Sequence, residues 1–367
     1  MHVPPWLNFS GVAIARERKQ RRKKRTPLAA LALLALAASS AAEENLAAAL
    51  KGGTPDLFLR YRFERVEDGV PKLKNAYAST LRTALGYQTG AYHAFSGYLQ
   101  VENVSVIGPE RYNNGGENGS ADRATVVDPR GTEINQAFLR YGGLRKNIVI
   151  LGRQEITHRE APLHRFVGNA LFRQNWQSFD AFRVLDLSLP QTTIDYAYVW
   201  NVNRIFGQHN PLPDASDFPM RSHFINAQYG GLPLAKIEAY GYLLDFNSAV
   251  SQRLSTATFG LRMQGDYLLA QKTKLVFAAE SAKQRDYAAN PNSIDVNYYA
   301  AELGLSRPLE GAVEAASLKL NYELLSGKGD AQAFQTPLGT NHAFQGAADR
   351  FLTTPRDGIQ DVFAKTS

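Results

Sequence analysis

From residue 55 onward the chain switches between apolar and polar side chains at every position, in stretches of roughly ten residues. In LFLRYRFERV (57–66), Leu57, Leu59, Tyr61 and Phe63 fall on one side, and Arg60, Arg62 and Glu64 on the other. In AYASTLRTALGYQT (76–89), Tyr77, Leu81, Leu85 and Tyr87 oppose Thr80, Arg82, Gly86 and Gln88. A period of two is the signature of a strand with unlike environments on its two faces. The same rhythm covers 92–104, 133–142, 147–155, 179–189, 192–202, 222–229, 234–246, 255–266, 273–284, 296–305, 317–325 and 358–364. About 14 strands are therefore expected, most of the 9–11 residues that a tilted membrane strand requires.

A soluble sandwich also alternates, with its apolar face inside. Two features favour a barrel in a membrane instead. The polar face carries charge in mid-strand (Arg82, Arg140, Arg262, Glu280, Lys319, Glu323), which suits a wet lumen. Aromatic residues gather towards strand ends (Tyr61, Phe63, Tyr77, Tyr87, Tyr196, Tyr198, Trp200, Tyr240, Tyr242), as interfacial girdles do. The expected fold is all-β, a transmembrane up-and-down antiparallel β-barrel.

What precedes the strands supports export. Arg16, Arg18, Lys19, Arg21, Arg22, Lys23, Lys24 and Arg25 lead into the short apolar run Leu28–Ala38 and then SSAAEE. Basic cluster, short apolar core and small residues make a signal peptide over 1–42 with an extended basic start, leaving 43–367 as the barrel. That apolar run is too short to span a bilayer as a helix. The formal charge of +7 belongs to this leader: eight of the 41 basic residues lie in it against one of the 34 acidic ones, leaving 33 of each. A nucleic-acid partner therefore loses its electrostatic basis. No cysteine is present, which removes thiolate metal sites and disulfides.

Connections are of two kinds. Gly142–Gly143, Pro190–Gln191 and Gly230–Gly231 mark tight turns. The segments 108–131, 158–178, 204–221, 285–295 and 326–356 are long, polar and rich in Gly, Asn and Arg. Short and long alternate, as an up-and-down barrel with periplasmic turns and outer loops demands.

Several of these segments carry a likeness. GRQ (152–154), RFVGN (165–169) and RQN (173–175) followed by QSFDA (177–181) resemble the alginate-export (AlgE-like) family of bacterial outer-membrane porins. FQTP (334–337), HAF (342–344), G-x-A-D-x-F (346–351), TP (354–355) and GIQD (358–361) follow in the family's order, with a short helix expected near 345–351. Weaker echoes lie in EINQAFLRY, NVNRIFG, TFGLRMQG and NYELLSG. The resemblance implies a passive pore, an anionic polysaccharide or smaller anionic solute as cargo, and outer-membrane lipid and the barrel-assembly machinery as partners. It also implies further strands beyond GIQD, so that the barrel, roughly 16–18 strands when whole, is expected to be truncated at its C-terminal side. It favours a loop 158–177 that folds into or over the lumen, with Arg159, Arg165 and Arg173 facing solute, over an ordinary solvated outer loop.

The expected pore-lining residues are Arg60, Arg62, Arg82, Arg140, Arg153, Glu155, Arg173, Asp180, Arg262 and Glu280. Arg153 with Glu155 either lines the constriction or forms an ion pair that braces the wall. Basic side chains come early and acidic ones (Glu280, Glu302, Glu323) late, interspersed with Arg262 and Lys319, so a transverse field is expected in the lumen. No enzyme or cofactor signature competes. HREAPLH (158–164) lacks the HExxH spacing and contains a proline, and no GxSxG is found. An outer-membrane hydrolase and a plugged structural or adhesive barrel are the alternatives to a channel.

Overall fold

The computed structural model describes residues 45–270, 272–309, 315–329, 332–344 and 349–366. The leader expected over 1–42 lies outside them, as do the first four residues of the helix expected near 345–351. One α-helix is described, α1 (Leu46–Lys51), beside two short 3-10 turns at Gln252–Leu254 and Asn341–Ala343. Asn45 caps α1, its Oδ1 accepting from Ala48 N at 2.8 Å.

The strands are β1 (Thr54–Val66), β2 (Ala76–Gln88), β3 (Phe95–Val106), β4 (Gly131–Tyr141), β5 (Asn147–Gln154), β6 (Ser178–Asp186) and β7 (Thr192–Asn203). They continue with β8 (Asp217–Tyr229), β9 (Ala235–Leu244), β10 (Thr256–Ala270), β11 (Thr273–Asp286), β12 (Asp295–Pro308), β13 (Ala315–Ser326) and β14 (Gly358–Thr366). All belong to one 14-stranded antiparallel sheet in sequence order, each strand pairing with its chain neighbours. Among the described residues no ladder joins β14 to β1.

Every stretch read as alternating is a strand, with ends moved by a few residues. β8 starts earlier than expected, because Pro219 interrupts the visible rhythm. A bulge between Val199 and Asn201 of β7 lets the ladder run on past it, pairing Asn201 with Pro219. Connections after even-numbered strands are short, and those after odd-numbered strands long. Tight turns thus share one end of the sheet and long loops the other.

Register assigns each side chain to a face. On one face stand Leu57, Leu59, Leu85, Leu99, Leu139, Leu151, Phe259, Leu261, Leu303, Leu320 and Val362, all exposed. On the other stand Thr80, Arg82, Gln100, Glu102, Asn135, Asp195, Asn226, Glu238, Glu280 and Glu323, all buried. Leu261 is 56% exposed while Arg82 is 0% exposed. A soluble protein cannot carry an apolar surface that continuous, since exposed patches beyond a few hundred Å² drive association. The apolar face is therefore the lipid face and the polar face looks inward.

The girdle expectation holds for Tyr61, Phe63, Tyr77 and Trp200, which are exposed on the outer face. It fails for Tyr240 and Tyr242. They share the parity of Glu238 in β9, point inward and are buried. Replacing Leu261 by Arg in the middle of β10 is expected to cost about 2–4 kcal/mol. Urea unfolding in lipid vesicles would show it, and an unchanged midpoint would contradict the assignment of faces.

Candidate pore constriction

The connection from β5 to β6 (155–177) turns inward and is tied to both sides of the sheet. Just before it, within β5, Gly152 has a φ of +123° that is left to glycine; a Cβ there would sit 2.4 Å from the Ala137 carbonyl oxygen. Glu155 follows, with Oε1 accepting from Asn135 Nδ2 at 2.9 Å and Oε2 from Asn169 Nδ2 at 2.5 Å. Burial pushes the Glu155 carboxyl above its ordinary range, against the pull of those two amide donors.

His158 enters the wall next. Its Nδ1 lies 3.0 Å from the Tyr242 hydroxyl and its Nε2 3.4 Å from Asp195, which Arg183 holds in a fork at 2.9 and 2.6 Å. Arg159 bridges two strands. Its Nε donates to Glu238 of β9 at 3.0 Å, and its Nη2 and Nη1 to Glu280 of β11 at 2.7 and 3.2 Å. Tyr240 Oη and Arg262 Nη1 complete the Glu280 carboxylate at 2.7 and 2.9 Å. Burial disfavours the Arg159 charge, but the two carboxylates outweigh it and hold the guanidinium well above its ordinary value. Arg165 reaches Glu323 of β13 at 3.1 Å. Between these arginines Phe166 inserts among Tyr240, Tyr242, Tyr298 and Phe334, with ring centroids 5.0–6.1 Å apart.

The far end of the loop docks on β1 and β2. Gln174 Nε2 donates to the Thr80 carbonyl and hydroxyl at 3.1 and 3.0 Å, and its Oε1 accepts from Arg60 Nε at 2.8 Å. Its backbone amide donates to Asp128 Oδ1 at 2.8 Å, and its carbonyl accepts from Arg82 Nη1 at 2.6 Å. Arg60 also binds the carbonyl oxygens of Leu171 and Arg173, and Arg62 that of Phe172. Arg82 pairs with Glu102 and lies 3.7 Å from the Trp176 ring centre. Arg173 reaches Glu64 at 3.3 Å and Asp349 at 2.6 Å. The connection between β13 and β14 adds Thr340 N to the His164 carbonyl at 2.7 Å and Gly168 N to that of Leu338 at 3.0 Å.

This sheet with a loop pinned inside it is similar to solved bacterial structures. Over 86% of the chain it matches Pseudomonas aeruginosa OccD3 (OpdP), covering 67% of that chain, with a TM-score of 0.58 and 17% identity. Acinetobacter baumannii OccAB3 matches over 75% of the chain and 67% of its own, with a TM-score of 0.57 and 14% identity. Pseudomonas aeruginosa OpdK, an outer membrane protein solved with vanillate, matches over 76% and 68%, with a TM-score of 0.55 and 12% identity. The fold is that of an outer-membrane porin. The chain spans about two thirds of the length of each of these porins. No family model and no curated protein matches it, so the alginate-export likeness gains no support of its own.

Within this porin wall the ten expected residues divide. Arg60, Arg62 and Arg82 are on the inner face, holding loop carbonyls. Glu155 and Arg173 belong to the loop and are bonded inward. Arg262 and Glu280 face each other in register and pair. Arg140 is on the inner face opposite Ser96, half-buried, with no ion pair among the described residues. Arg153 and Asp180 differ from expectation. Arg153 has the parity of the exposed Leu151, so it pairs with Asp180 at 2.8 Å on the outer side, separated from Glu155 by the strand's end. Arg159 and Arg165, expected to face solute, turn onto wall carboxylates. Sequence reasoning missed Gln174, Glu238, Tyr240 and Phe166; the partners of Gln174 and Arg159 lie far along the chain.

Truncating Arg159 to Ala would leave Glu238 without its cation and Glu280 with Arg262 alone. A loss of about 3–5 kcal/mol is expected, with faster proteolytic cleavage inside 158–177. Equal protease resistance of variant and parent would show that the fork does not hold the loop.

Proposed function

We propose that the chain forms the wall and constriction of a passive outer-membrane channel in a bacterium, admitting small solutes and favouring anions. The observation that carries this reading is the inverted patterning: a lipid-facing apolar surface around a polar interior, with one loop fixed across that interior. Such a passage selects by size and charge without chemistry.

Preference for anions rests on Arg140. The other inner-face arginines named above are committed to carbonyl or carboxylate oxygens, whereas Arg140 presents an uncompensated guanidinium towards the turn end. Guanidinium forks suit carboxylates. Vanillate, found with OpdK, is a small carboxylate; the alginate-export likeness points to polymeric uronate. A loop bound to both walls favours the smaller cargo. The same loop supports a second reading, a plugged structural barrel.

Reconstitution in planar bilayers separates the two. Stepwise conductance with a reversal potential favouring chloride over potassium is expected. Arg140→Glu should shift that potential towards cations, and deletion within 160–173 should raise conductance. A membrane-inserted chain that passes no current would leave the plugged barrel standing.

A further inference from the structure

On the outer face, at the end bearing the long loops, charge is distributed unevenly. Arg65 pairs with Glu67, Arg153 with Asp180 and Arg221 with Asp245, one cation to one carboxylate. Over β11–β13 the ratio changes. Lys283 Nζ lies 2.5 Å from Asp295 Oδ1, Arg285 Nε 3.7 Å from the same oxygen, and Lys328 Nζ 3.7 Å from Oδ2. Asp286, beside them, is engaged elsewhere, accepting from the Ile294 amide at 2.8 Å. Among the described residues, three cations gather on the one carboxylate of Asp295, and with Asp286 counted the patch keeps a net charge of one positive.

We propose that this rim binds the phosphorylated headgroup of an outer-leaflet lipid. Arg285 and Lys328 are beyond hydrogen-bond length from Asp295 and largely exposed, so both can turn to a new anion without losing a bond. A guanidinium fork with two ammonium groups is a phosphate-binding set. Position selects lipid over free phosphate. Lys283 pairs in register with Phe259, and Tyr299 and Leu303 continue the same apolar face away from the loop end. A headgroup phosphate at the cations would lay its acyl chains along that strip. A soluble anion would use the charges and leave the strip idle.

The inference rests on the membrane reading above, and the test keeps the two apart. The chain folded in detergent micelles would be titrated with bis-phosphorylated lipid A, fully dephosphorylated lipid A and inorganic phosphate, with binding read by native mass spectrometry. Dephosphorylation is expected to weaken binding about tenfold or more, as is the combined K283Q, R285Q and K328Q variant. Inorganic phosphate at equal concentration should leave the lipid bound. Equal binding by parent and variant, or displacement by inorganic phosphate, would overturn the proposal. Should the triple variant fail to fold, R285Q alone, at a position with a 70% exposed side chain, is expected to show a severalfold loss, and no loss would overturn it. A chain that does not enter micelles at all would defeat the membrane reading first.

Discussion

Hydrocarbon offers a peptide group no partner, so a chain that crosses a membrane as strands must satisfy its amides through its neighbours. Among the described residues the fourteen strands do this in the simplest order available, β2 to β13 each laddered to the strands before and after it, β1 to β2 and β14 to β13. Everything else follows from that arrangement. Because neighbours in sequence are neighbours in space, one face can be kept apolar by alternation alone. The other face is then free to carry charge that no soluble core would tolerate. Leu261 and Arg262, adjacent in sequence, stand in hydrocarbon and in the lumen.

The interior uses its arginines as fasteners. A buried ion pair is poor evidence of net stability, because desolvation consumes most of the attraction. What it does supply is position: a guanidinium facing two carboxylates, as Arg159 faces Glu238 and Glu280, has one low-energy placement. Arg60, Arg62 and Arg82 act likewise on backbone carbonyls, which cannot be lost by substitution. The loop is thus located at both ends by side chains of the wall, with the Phe166 cluster filling the space between. Carboxylates offset the guanidinium charges of Arg159 and Arg262, whereas Arg60 sits on neutral carbonyl and amide oxygens.

The strands were legible because period two states the environment of each face directly, and their number follows from counting. Inwardness of the β5–β6 loop was legible only through family likeness. Its attachments were not, since Arg60 and Gln174 are 114 residues apart and Arg159 and Glu280 are 121 apart. Alternation also loses authority at strand ends. Arg153 and Glu155 have the same parity on paper, yet β5 stops at Gln154, and Glu155 turns into the loop while Arg153 keeps the outer side. Tyr240 and Tyr242 mislead for a related reason: an aromatic residue serves an interface or a wet interior equally well, because its hydroxyl finds water in the first and Glu280 or His158 in the second.

With tight turns confined to one end and long connections to the other, the two rims differ in what change they tolerate. Lengthening a loop between an odd strand and the next alters no ladder, at a closure cost that grows only slowly with length. The opposite rim has no such freedom, since each tight turn sets the register of the pair it joins. Variation in a lineage of such chains should therefore gather on one side of the envelope, the side met by antibodies, phage and competitors.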